Sequence, residues 1–125
     1  MSHARLLFAA GLLAAGFAGR VQAAAPITLN SATVLVRTGD SVECSVISAD
    51  PRNAADLTVE LIDPSSGSVF GFASSCPGTG LGGFCFQQLN NPDPVRRVDC
   101  VVTTTTKKVR ALLANTTTGI EAEVK

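Results

Sequence analysis

Apolar and polar residues alternate with a period of two along much of the chain, and the clearest run lies between Val95 and Asn115. Val98, Cys100 and Val102 fall on one side of an extended chain, with Arg97, Asp99 and Thr103 on the other. That alternation marks a half-buried strand. A Thr/Lys stretch follows, and then Val109, Ala111 and Leu113 share one face of a second strand. The spacing predicts a β-hairpin here, with an inward cysteine on its first strand. Cys44 has a matching setting between Val42 and Val46. Two sheets stapled face to face by Cys44–Cys100 are therefore expected.

The remaining elements follow in order. Ile27 and Leu29 suit a short first strand. The β-branched stretch Thr33–Arg37 suits a second, closed by the turn-forming Thr38-Gly39-Asp40-Ser41. Val42–Ile47 carries Cys44, and Pro51 and Asn53 break the chain after it. Leu57, Val59 and Leu61 alternate with Thr58, Glu60 and Ile62 in the next strand. Asp63-Pro64-Ser65-Ser66-Gly67 reads as a tight turn, because Pro presets φ and Gly tolerates φ > 0. Val69–Phe72 reads as a further strand. Ser74–Phe84, rich in Gly, Ser and Pro, is expected to be a loop clipped by Cys76–Cys85, after which Phe84, Phe86 and Leu89 return as a short strand. Ile120, Ala122 and Val124 alternate with Glu121 and Glu123 in a closing strand. Beyond residue 23 no segment keeps a 3.6-residue period. Short strands separated by turn signals predict an all-β fold, a two-sheet antiparallel sandwich, as a single domain over residues 24–125.

Residues 1–23 read differently. His3 and Arg5 precede an apolar run of 13 residues, Leu6 to Ala18, and Val21-Gln22-Ala23 offers small residues to a signal peptidase. The run falls short of the ~20 residues that span a bilayer, so a cleaved signal peptide is expected rather than an anchor. The mature protein is then periplasmic or extracellular, with no transmembrane segment. Without the leader, eight basic residues face ten acidic ones, a net charge of −2. A nucleic-acid binder would show a strong basic excess, so that partner class is not expected.

All four cysteines lie beyond the leader, and an even count in a short exported domain is a disulfide framework. Three pairings are open. Cys44–Cys100 with Cys76–Cys85 is the expected one, since the first two sit inward on strands and the others bracket a loop. A zinc site would need close C-x-x-C spacings or histidine partners, and the part beyond the leader has neither.

The two inward cysteines among seven or more strands resemble an immunoglobulin-like sandwich, although no Trp is present to pack on the bridge and Val98 stands where a tyrosine corner would fall. More narrowly, the G-x-x-x-x-C strand from Gly39 to Cys44, and Cys100 followed by KKVRALL (Lys107 to Leu113), resemble small exported bacterial proteins. That resemblance implies the sandwich fold and no particular activity.

Composition also limits the chemistry. His3 and Met1 are the only residues of their types, and the chain has no Tyr or Trp. Once the leader is gone, histidine-based triads and histidine-ligated metal catalysis are excluded, and no cofactor or metal is expected. A hydrolase working with carboxylates alone would draw on Asp56, Glu60, Asp63 and Asp99, but these fall on outward faces and strand ends, where solvated roles are expected. Gly78 to Gly83 matches G-x-G-x-x-G literally without the strand-to-helix setting that a dinucleotide site requires. Asn115-Thr116-Thr117 is an N-glycosylation sequon. The neighbouring Thr103–Thr106 run is expected to be exposed. Arg96, Arg97, Lys107, Lys108 and Arg110 place five of the eight mature basic residues within fifteen positions. On a hairpin they would share one outward surface, a patch for an acidic protein, a glycan or a lipid headgroup. The function expected is that of an exported, non-enzymatic binding or structural protein. The alternatives are a carboxylate-based hydrolase and a strand-exchange assembly subunit, the latter disfavoured by the full complement of strands.

Overall fold

The computed structural model describes residues 25–125, and the expected signal segment lies outside them. Among the described residues there are nine strands and no helix. They are β1 (Ile27–Asn30), β2 (Val34–Val36), β3 (Ser41–Ser48), β4 (Ala55–Ile62), β5 (Ser74–Thr79), β6 (Phe84–Asn90), β7 (Arg96–Thr104), β8 (Val109–Asn115) and β9 (Ile120–Val124). One antiparallel sheet has the order β1-β7-β4-β5, with β2 also on β7, and the other the order β6-β3-β8-β9. Alternation along each strand turns one face inward: Leu57, Val59, Leu61, Val98, Cys100 and Val102 from the first sheet, and Val42, Cys44, Val46 and Leu113 from the second. All of these are essentially inaccessible to solvent. Two apolar faces closing on each other make a β-sandwich, and burial of this surface is the main favourable term for its folding.

Both expected disulfides are present. Cys44–Cys100 joins β3 to β7, and hence sheet to sheet. Cys76–Cys85 joins β5 to β6, the two strands at the same side of the sandwich. β1 and β2 lie end to end along one edge of β7. At the break between them the Cys100 N–H donates to Ser31 Oγ at 2.8 Å, while the Ser31 N–H donates to the Cys100 carbonyl. The interruption therefore leaves no orphaned group on β7.

Three expectations are corrected. The strands β7 and β8 are not a hairpin: β7 pairs with β4 in the first sheet and β8 with β3 in the second. The stretch expected as a loop after Ala73 contains β5, an edge strand that pairs with β4 across a bulge between Ala55 and Leu57. Val69–Phe72, expected as a strand, contributes only a single bridge from Val69 to Ile62. The strand order also departs from the immunoglobulin arrangement, whose four-stranded sheet runs A-B-E-D. Here the late strand β7 separates β1 and β2 from β4. The pairs β3–β8 and β4–β7 form one ribbon that folds over from sheet to sheet through residues 49–54 and 105–108.

Polar hubs hold the places where the chain changes sheets. At one end Asp50 accepts the Arg52 and Asn53 N–H groups at 2.9 and 3.1 Å and the Thr106 hydroxyl at 2.9 Å, tying the two crossovers together. Thr104, expected to be exposed, is fully buried in phase with Val102, and its hydroxyl donates to the Thr106 carbonyl. At the other end the buried Asn91 amide donates to the carbonyls of Val36, Arg37 and Pro94. Beside it Asn115 Nδ2 donates to Leu35 O and to Asp40 Oδ2.

Two predictions follow from these ties. Closing a loop across the 56-residue separation of Cys44 and Cys100 corresponds to about 4 kcal/mol, and across the 9-residue separation of Cys76 and Cys85 to about 2.7 kcal/mol. In urea titrations the Cys44→Ala/Cys100→Ala pair of substitutions should therefore cost more than Cys76→Ala/Cys85→Ala. The second concerns acid. Hydrogen bonds from the Arg52 and Asn53 N–H groups, with smaller help from Thr106 and Lys108, hold the Asp50 carboxyl down at about 2 against an ordinary 3.8. A depressed folded-state value stabilises the fold above the ordinary value, and that stabilisation is lost as pH falls towards the folded one. Melting temperature should thus fall between about pH 4 and pH 2, and Asp50→Asn, which removes the charge and keeps an acceptor, should flatten that fall.

Candidate functional site

Splitting β7 and β8 between sheets disperses the basic patch expected from the sequence. Arg97 lies exposed on the outer face of the first sheet, opposite Leu35 of β2. Arg110 lies exposed on the outer face of the second, opposite Ile47 of β3. Lys107 and Lys108 sit exposed in the crossover at one end of the sandwich. These four residues do not form a common surface.

What remains is a smaller site at the start of β7. A groove of about 610 Å³ opens there, between Thr33 before β2, the turn Asp63-Pro64-Ser65 after β4, and Val95-Arg96-Arg97. The turn is rigid for a local reason: the Asp63 carboxylate accepts both the N–H and the hydroxyl of Ser65, at 2.9 and 2.6 Å. Those bonds, with weaker attraction from Arg96, lower the Asp63 pKa and keep it ionised. Arg96 is half-buried, paired with Asp93 and stacked over the Phe70 ring at 5.3 Å. Asp99, two residues beyond Arg97 on the same face, accepts the Thr33 hydroxyl at 2.5 Å. Arg97 alone of the two arginines forms no ion pair among the described residues. The groove thus presents one free guanidinium, apolar walls at Pro64 and Val95, and hydroxyls at Thr33 and Ser65. Such a fork can grip a carboxylate or sulfate with two hydrogen bonds.

The other candidate chemistries are placed as follows. Asp56 caps the bulged edge by accepting the Gly78 N–H at 2.9 Å, and Glu60 stands on the outer face opposite Val101. Asp63 is the single carboxylate in the groove. Among the described residues no three His, Cys, Asp or Glu side chains group to hold a metal ion. The glycine-rich stretch is the β5–β6 turn, and a Cβ on Gly83 would lie 2.6 Å from Thr79 Cγ2, so it serves chain reversal and precedes no helix. The sequon is closed: Asn115 is fully buried with its amide already donating twice. Thr33, Ser65 and Val95 come from three separate segments and share no periodic signal that would mark them in the sequence. No family model matches the chain, and no curated protein matches it.

The two arginines should differ in their effect on stability. Arg97→Glu should leave unfolding free energy within ~0.5 kcal/mol, as for other exposed charges. Arg96→Glu should lose about 1 kcal/mol, because it forfeits the ring contact and sets a carboxylate beside Asp93. Urea titration of both variants measures the contrast.

Proposed function

We propose that the protein is exported through a cleaved N-terminal signal peptide and works in the periplasm or outside the cell as a non-enzymatic binding module. Its two disulfides suit an oxidising compartment, and among the described residues no helix is long and apolar enough to cross a membrane. The ligand proposed is an acidic partner, engaged through a carboxylate or sulfate at the Arg96–Arg97 groove. The observation that carries this reading is the unpaired Arg97 guanidinium in a groove whose one carboxylate, Asp63, is already bound by Ser65. A non-enzymatic role is supported by the side chains within reach. The Ser65 hydroxyl donates to a carboxylate of lowered basicity, and no histidine or lysine lines the groove to activate it.

The test uses the exported protein, whose intact mass should lack residues 1–23. Wild type should be retained at low salt on immobilised heparin or an Asp/Glu-rich peptide. Retention should fade towards physiological ionic strength, where exposed charges are screened within ~8 Å. Arg97→Glu should abolish retention, while Arg110→Glu, on the opposite sheet, should leave most of it. Equal loss in both variants would mean diffuse attraction rather than a site, and absence of wild-type retention would remove the groove as an acidic-ligand site.

A further inference from the structure

The described chain has four phenylalanines, and three of them are exposed: Phe72 by 73%, Phe84 by 63% and Phe86 by 46%. Phe84 and Phe86 point outward from β6 with their rings stacked 5.9 Å apart. Ile47 lies opposite Phe84 on β3, and Leu112 continues the row that runs from Phe86 through Ser45. Both are also exposed, as is Leu81 in the turn before β6. Phe72 faces Phe84 and Phe86 across a hollow of about 460 Å³. An exposed apolar patch of this kind often marks an interaction surface.

The patch borders a strand edge, and the four edges of the sandwich differ in how they are guarded. Exposed edges are normally blunted by charge, proline, bulges or interruption. The β9 edge carries Glu121 and Glu123 and meets Ser31 in a bridge. The β5 edge has Pro77 and a bulge. The β1–β2 edge is broken between Asn30 and Val34. The β6 edge has none of these devices. Its seven residues, FCFQQLN, include no charge and no proline, and pair with β3 without a register shift.

We infer that β6 is the seam of a two-fold homodimer, in which the β6 strands of two copies pair antiparallel and extend the second sheet across both molecules. A two-fold axis at Cys85 sets Phe84 of each copy opposite Phe86 of the other, giving two aromatic cross-strand pairs. No charge lies on either seam strand to be opposed by its own kind. The charges of this outer face stand back from it, at Glu43, Arg110, Glu121 and Glu123. Of the exposed apolar side chains, Phe84 and Phe86 meet their counterparts across the seam, while Ile47 and Leu112 stand one and two strands back on the outer face. The main-chain ladder along β6 adds to this.

Sedimentation equilibrium of the exported, oxidised protein tests the inference, followed by interference optics because the chain has no Tyr or Trp. Wild type should show a monomer–dimer equilibrium below about 100 μM. Phe86→Lys and Phe84→Lys should each weaken it at least ~10-fold, while Arg110→Glu, on the same sheet away from the seam, should leave it unchanged. Hydrogen exchange of wild type supplies a readout independent of the variants: β6 amides should gain protection as concentration rises, and β9 amides should not. Wild type that stays monomeric at about 100 μM, a dimer unaffected by the lysine substitutions, or added protection at β9 would each overturn the seam.

Discussion

The rest of the structure depends on the contact between two apolar faces that the Cys44–Cys100 bridge pins together. Each face is made of narrow side chains, mostly valines and leucines, in a described chain without a tryptophan or tyrosine. A core of about a hundred residues with so few aromatics buries modest area, and small domains offset that shortage with covalent links. The bridge sits between β3 and β7, both interior strands of their sheets. It therefore fixes the distance and the phase of the sheets at once. The inward valines on either side of each cysteine pack only if that phase holds, so bridge and core specify the same arrangement.

That arrangement also explains which parts of the fold could be read in the sequence. Period-two alternation reports which side chains point inward, and it did so for β3, β4, β7, β8 and β9. It does not report which strand lies alongside. Thr105 to Lys108 could join a hairpin or a crossover equally well by length, and the difference lies in the remote strands β4 and β3 that pair with β7 and β8. β5 was hidden for another reason: SSCPGT has weak strand propensity, and it is extended because β4 pairs with it and Cys85 holds it. Tertiary context outweighs local preference at such an edge. Thr104 and Asn115 mislead in the same way, since a polar residue looks solvated until its buried partners are known.

The same distinction separates the two surfaces. A cluster of basic residues close in sequence is close in space only if the strands carrying them are neighbours, and β7 and β8 are not. Arg97 instead shares a groove with Asp63, Ser65 and Thr33, brought to it by a turn and an edge strand remote in sequence. The aromatic face was equally unreadable. Phe84 and Phe86 could have faced the core, and they point outward because Cys85 between them faces inward to meet Cys76. One disulfide thus determines the exposure of two phenylalanines.

The groove and the aromatic seam share no residue and belong to different sheets. Occupation of one leaves the other open. If β6 pairs two copies, the dimer carries two grooves related by the two-fold axis. A single free guanidinium in a shallow groove is a weak site, since exposed charge pairs contribute little singly. Two such sites held at a fixed spacing bind a repeating acidic polymer far more tightly, provided the spacing matches the repeat. Retention on a long polyanion would then fall when Phe86 is changed to Lys, even though that residue is remote from the groove and the change adds positive charge. Simple electrostatics predicts the opposite sign, so this one variant separates avidity through the seam from attraction by net charge.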